Sequence, residues 1–234
     1  MKAEVIDHNN FIGGRYSVLS EVGMLPAGLM GFDQAKFKRL NDLVKNKQFI
    51  NSLLVNVPNT LELIKKKKFN SIILNYDPYS ADLFYWYQQL LAESLGKKNK
   101  GILPVISNMP KDNHSLMQFY LDGSKKNFYT LFYVKNNSLK KIISKNLLGS
   151  HLYLKDKTYH DILNAQFIST QNIFKKKNLP FRSFYINERS EEVLGELFTF
   201  FILETLLIGK ALKINPYDQP SVELIKDETK KNLI

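Results

Sequence analysis

Cysteine is absent from the 234 residues. That excludes disulfides and thiolate chemistry and suits a reducing compartment, so a cytoplasmic protein is expected. Histidine is scarce: His8, His114, His151 and His160 are the only four. None stands at metal-ligand spacing from carboxylates, so no metal site is expected. No apolar run approaches the roughly 18 residues that a membrane span needs. The most apolar stretch, LGELFTFFILETLLIGKAL, carries Glu196 and Glu204 and reads as a buried helix. The opening MKAEVIDHNN lacks the apolar core of a signal peptide. No membrane partner is expected.

Arginine is rare too, supplying only four of the 33 basic residues despite a net charge of +11. The lysines gather in separate clusters at 65–68, 97–100, 125–126 and 175–177. Each cluster falls where a helix or loop should end, as solvated surface charge does. The pattern is compositional bias rather than a groove-reading surface, and nucleic acid is not expected as a partner. The chain also lacks a serine–histidine–acid pattern, a G-x-G-x-x-G turn, a Walker loop and zinc spacing.

What remains is apolar and aromatic. Hydrophobic residues make up 44%, with 16 Phe and 12 Tyr, enough for a sizeable core. Strand-like and helix-like runs alternate. SIILNY (71–76) is strand-like and is closed by the turn chemistry of Asp77, Pro78 and Ser80. ADLFYWYQQLLAESLG then reads as a helix, with Leu83, Trp86, Tyr87, Leu90 and Leu91 on one face and Gly96 as its stop. GILPVISNM, NFYTLFYVK and PFRSFYIN are further strands. DNHSLMQFYLDG is expected as one helix from Asp112 to Gly123. TYHDILNAQFISTQNIFKKK is a helix carrying Ile162, Phe167, Ile168 and Ile173 at helical spacing. A long helix begins at Ser190, and SVELIKDETKKNL forms a last one. This rhythm means βαβ units: an α/β fold with a mostly parallel sheet and helices on both faces. Chemistry is expected at the carboxyl ends of its strands.

Candidate residues stand out singly. FIGGRYSVLSEVG places Gly13 and Gly14 before Arg15 and a β-prone run. The glycines permit a sharp turn or a close ligand, and Arg15 offers a fixed fork for a phosphate, carboxylate or oxyanion. An ordinary loop ion pair fits the same residues. Gln89 and Glu93 share a helix face. Near the helix C-terminus the dipole disfavours a charged carboxylate, which suits a general base; a surface glutamate among lysines fits as well. His114 lies in the first turn of its helix, where a ligand-facing or a capping residue belongs. In NPYDQPSVELIK two prolines bracket Asp218 and Gln219, and Lys226 follows two turns later. One by one these residues name no reaction.

Taken in order they do. FIGGRYSVLSEVGMLPAGL, QQLLAESLGKKNKGILPV, DNHSLMQFYLDG and INPYDQPSVELIK resemble four ordered signatures of the glucose-6-phosphate isomerase family, from its C-terminal half. The resemblance implies a sugar-isomerase (SIS-type) three-layer αβα sandwich over residues 1–234, with a helical extension from about 190. It implies interconversion of glucose 6-phosphate and fructose 6-phosphate through a cis-enediolate, with no metal or organic cofactor. By position, Glu93 would be the base, Arg15 the enediolate clamp, and His114 and Lys226 the ring-opening groups. Gln89 and Gln219 would hold sugar hydroxyls, with Gly14 beside the substrate. The histidine would come from a neighbouring subunit, which implies a homodimer. Ala92 and Ser221 depart from the family's usual glycine or alanine but stay small.

Members of that family are about twice as long. Their N-terminal SIS domain, with its Ser/Thr-rich phosphate loop, is expected to be absent from these residues. Little isomerase activity is therefore expected from the chain alone. A non-catalytic SIS-type module that binds a phosphosugar is the other reading.

Overall fold

A computed structural model describes residues 4–135, 140–142 and 148–234. Four strands, β1 (Asn70–Asn75), β2 (Leu103–Asn108), β3 (Asn127–Val134) and β4 (Phe181–Ile186), form one sheet in the order β2-β1-β3-β4. All three pairings are parallel; Ile72 of β1 lies opposite Val105 on one side and Tyr129 on the other. Every residue of β3 is buried, as expected for a central strand covered on both faces.

Alternation along the strands divides the core in two. Ile73, Phe128, Phe132 and Val134 face a layer made by α4 (Lys47–Lys65), α5 (Ala81–Leu95) and α9 (Glu191–Leu212). Ile72, Leu74, Tyr129, Leu131 and Tyr133 face α7 (Met117–Asp122) and α8 (Tyr159–Lys176). The result is the expected three-layer αβα sandwich. Within the first layer, Glu204 of α9 is 1% exposed and sits among aromatic side chains. Its carboxylate accepts from both terminal nitrogens of Arg182 on β4 and from the Tyr87 hydroxyl. Desolvation works against the Arg182 charge, but Glu204 and Tyr87 outweigh it and hold the guanidinium above its ordinary pKa.

Three local expectations change. The β-prone run after Arg15 is a 3-10 helix, Gly14–Leu19, followed by α1 (Glu21–Leu29). The Ser17 hydroxyl closes that turn on Gly14 O at 2.7 Å, and the segment packs on α5 and α9, where no strand edge is available. The helix expected from Asp112 to Gly123 breaks at Leu116 (φ −123°), giving α6 (Asp112–Ser115) and α7. Asp112 causes this by accepting from Asn108 N and the Ser107 and Ser115 hydroxyls, which ties α6 to the end of β2.

On α8 the buried face is Leu163, Phe167, Thr170 and Phe174, while Ile168 and Ile173 are exposed. The two phenylalanines set that rotation by packing against Tyr76, Tyr133 and Tyr129. Between α1 and α9 lies α2 (Gln34–Phe37), seated directly on Gly195 of α9. The described residues also include α3 (Leu40–Leu43), 3-10 helices at Pro78–Ser80 and Gly149–Leu154, and α10 (Pro220–Leu233), every residue of which is exposed.

Candidate active site

Topology decides where each candidate lies. A βαβ crossover must run back along the sheet, so α5 begins at the carboxyl edge and ends at the amino edge; α9 leaves the carboxyl end of β4 and brings Gly209 beside Leu95 at the end of α5. Glu93, in the last turn of α5, is therefore at the amino edge. So is the turn after α9, where Lys213 takes the left-handed conformation (φ 56°) and Ile214 buries itself. His114, just past β2, is at the carboxyl edge. Of Glu93, the turn after α9 and His114, only His114 lies at the carboxyl edge.

At the amino edge the chain assembles a tight cluster around Arg15, which is 4% exposed. Its Nε donates to Ser94 Oγ at 2.9 Å. Nη1 donates to Glu93 Oε2 at 3.2 Å and to Gln219 Oε1 at 2.7 Å. Nη2 donates to the carbonyls of Pro216 at 2.7 Å and Asp218 at 3.0 Å. All five N–H groups of the fork are used, which only arginine can do. Gln89 Nε2 donates to the other oxygen of Glu93, Oε1, at 3.1 Å, so both carboxylate oxygens are held. Trp86 Nε1 donates to the Arg15 carbonyl at 3.0 Å and fixes the backbone that carries the fork.

Lys97, Ser94 and Tyr16 complete the support, and none was a sequence candidate. Lys97 belongs to a lysine cluster expected to be solvated, yet its side chain is only 11% exposed. Its ammonium donates to Asn215 O at 2.6 Å, to Asp218 Oδ1 at 2.5 Å and to Asp218 O. It thereby pins the turn that presents Gln219. The Lys97 hydrogen bond holds the Asp218 carboxyl below the usual carboxylate range. Tyr16 Oη meets Ser94 Oγ at 2.8 Å and donates to Pro216 O at 3.1 Å. The available signal was spacing: Ser94 and Lys97 follow Glu93 by one and four.

Gly14 opens the 3-10 helix, and a Cβ on either Gly13 or Gly14 would meet nothing within 4 Å. Neither has a positive φ. The chain's own packing thus leaves the space beside this backbone open. The two remaining candidates stay apart from the cluster. The His114 side chain is exposed and has no hydrogen-bond partner among the described residues. Lys226 is exposed on α10 and pairs with Glu223 at 2.7 Å, a hydrogen bond that raises its pKa. It stands about 10 Å along the helix axis from Gln219.

Known proteins can now be set beside this arrangement. Residues 2–108, which hold Arg15, Gln89 and Glu93, match the family model "Phosphoglucose isomerase". The glucose-6-phosphate isomerase of Mycoplasmopsis pulmonis is 36% identical over 229 residues, 95% of this chain and 54% of that protein. Nearly the whole chain is homologous to glucose-6-phosphate isomerases. It spans about half the length of the curated relatives it matches. A hypothetical protein of Thermus thermophilus, known from its crystal structure, superposes with a TM-score of 0.83 at 26% identity, covering 94% of this chain and 55% of that one. A glucose-6-phosphate isomerase structure from Chlamydia trachomatis gives a TM-score of 0.70 at 17% identity over 94% of this chain and 47% of that one. At that identity the likeness concerns the fold, a SIS-type αβα sandwich.

Proposed function

We propose that this chain carries the proton-transfer centre of an aldose–ketose isomerase that interconverts glucose 6-phosphate and fructose 6-phosphate. The observation behind this reading is the contact between Arg15 and Glu93, buttressed by Gln89 and Gln219. Moving a proton between two carbons next to a carbonyl needs one positioned base and one cation for the oxygen that becomes negative. Glu93 removes the C2 proton and returns it at C1. Arg15, held from five directions, stabilises the enediolate without having to move. Gln89 orients Glu93 and, with Gln219, holds hydroxyls, while the open backbone at Gly14 admits the sugar.

His114 and Lys226 assist ring opening. His114 faces solvent at the opposite sheet edge, so it serves the site of a second subunit in a homodimer. The phosphate is gripped by a second SIS domain outside these residues, and the chain alone turns over poorly. A second reading is favoured by one fact: the Arg15 donors are all satisfied already, as in a module that binds a phosphosugar without reacting with it.

Titration of the chain with a hydroxamate mimic of the enediolate separates the two. The isomerase reading expects binding that weakens about tenfold or more in Arg15→Gln, which removes the fixed positive charge that the anionic mimic faces. Equal binding of the mimic and fructose 6-phosphate contradicts it.

A further inference from the structure

The lysine clusters at 65–68, 97–100, 125–126 and 175–177 are far apart in the sequence, but each shortly precedes a strand: β1, β2, β3 and β4 in turn. In a wholly parallel sheet the strands all start at one edge, so the fold collects the four clusters at the amino edge. The sheet order β2-β1-β3-β4 sets them side by side as 97–100, 65–68, 125–126 and 175–177. Neighbouring strands lie about 5 Å apart, so the clusters form one ridge on the order of 15 Å long. Contacts join its parts. Lys68 Nζ donates to Lys125 O, Phe69 N donates to Lys126 O, and Lys177 Nζ donates to Asp122 Oδ1 beside the third cluster.

Helix-end chemistry accounts for only part of this charge. A helix C-terminus carries about half a negative charge, which a single lysine more than offsets. The clusters bring two to four lysines each. Among the described residues Lys66, Lys97 and Lys177 pair with Glu62, Asp218 and Asp122, and the other lysines of the ridge have no carboxylate partner. The end of α9 adds Lys210 and Lys213, and Lys100 Nζ donates to Leu212 O there at 3.0 Å. At the opposite edge the first turns of α5, α6, α8 and α9 carry acids instead: Asp82, Asp112, Asp161, Glu191 and Glu192.

The ridge runs into the Arg15 cluster. Lys97 belongs to both, since it also pins the turn that holds Gln219. Charges act over about 10 Å at 0.1 M salt and about 30 Å at 0.01 M, so the lysines beside Lys97 act on the site directly and the others extend its reach at low salt. A surface of one sign leading into a site concentrates counter-ions there and speeds their arrival.

We propose that the amino edge is an anion-gathering surface that delivers phosphorylated ligands to the Arg15 cluster. The gathering follows from the charge alone; the identity of the ligand as a sugar phosphate rests on the isomerase reading.

Two nitroxide probes of one frame, one bearing a carboxylate and one an amine, test the field through the relaxation of backbone amides. In about 10 mM salt the carboxylate probe should act about threefold or more strongly than the amine at residues 65–67, 98–100 and 125–126, and the contrast should vanish in about 1 M salt. Lys65→Gln, Lys67→Gln, Lys126→Gln and Lys175→Gln together remove exposed charges outside the Arg15 cluster and should weaken that contrast. Delivery is read by stopped flow with a phosphorylated hydroxamate mimic of the enediolate, through Trp86, the only tryptophan, which donates to the Arg15 carbonyl. Association should slow about threefold in the four-lysine variant at low salt, with dissociation unchanged and no difference at high salt. Equal action of the two probes on the unaltered chain at low salt overturns the proposal. So does an association rate that the four substitutions leave as it was. If that variant does not fold, an association rate of the unaltered chain that does not fall from low to high salt overturns it. Probe contrast without any binding of the mimic contradicts the isomerase reading and leaves the gathering of anions standing.

Discussion

Arg15 Nη1 and Glu93 Oε2 lie 3.2 Å apart although 78 positions separate them in the chain. The arginine side chain is 3% exposed and the glutamate 28%. A buried guanidinium beside a partly open carboxylate is an asymmetric pair: one member is scaffold as well as charge, and the other is accessible. Arg15→Lys keeps the charge but cannot reach Ser94, Glu93, Gln219, Pro216 and Asp218 together. It should cost about 3 kcal/mol, because several buried acceptors lose their donor, read from urea unfolding. An unchanged midpoint would show that the fork is dispensable for the fold.

The turn holding Gln219 should respond to acid. Because the Lys97 hydrogen bond lowers the Asp218 pKa from 3.8, its stabilising contribution is fully present above 3.8. It is lost as pH falls further, through the lower folded value. An NMR titration of the Asp218 carboxyl should show a midpoint below 3.8 that moves back up in Lys97→Met. A midpoint at or above 3.8 in the unaltered chain would mean that Lys97 does not hold this turn in solution.

Gly195 is where α9 touches α2 most closely. A Cβ there would stand 2.4 Å from Phe37 O and 2.7 Å from its Cα, both backbone atoms. Gly195→Ala should therefore push α2 away and cost about 2 kcal/mol, within the range for overpacking, despite alanine's better helix propensity. Calorimetry that finds the alanine chain more stable would contradict the close packing.

Much of this fold is legible in the sequence because its core strands are short, apolar and bounded by turn residues. SIILNY and NFYTLFYVK read as strands, and Gly96 reads as the stop of α5 where the structure has its cap. The buried side of α8 was not legible. Isoleucines, phenylalanines and a leucine give overlapping apolar stripes, and only tertiary contact with Tyr76, Tyr129 and Tyr133 selects among them. Arg15, Gln89, Glu93 and Gln219 emerged through their order along the chain; nothing local joins Arg15 to a turn some 200 residues later. Lys97 stayed hidden because a lysine inside a lysine cluster looks the same whether it faces water or three oxygen atoms. Leu116 shows a similar limit: the break in its helix is set by Asp112 reaching back to β2.

The central claim is that Glu93 moves a proton between two sugar carbons, with Arg15 stabilising the charge that forms. Deuterium incorporation into fructose 6-phosphate in heavy water, followed by NMR, tests it most directly. The account predicts slow exchange at C1 with the unaltered chain. In Glu93→Gln that exchange should fall about a hundredfold or more, the usual worth of a general base. Exchange that persists unchanged in Glu93→Gln, or none at all with the unaltered chain, would contradict it.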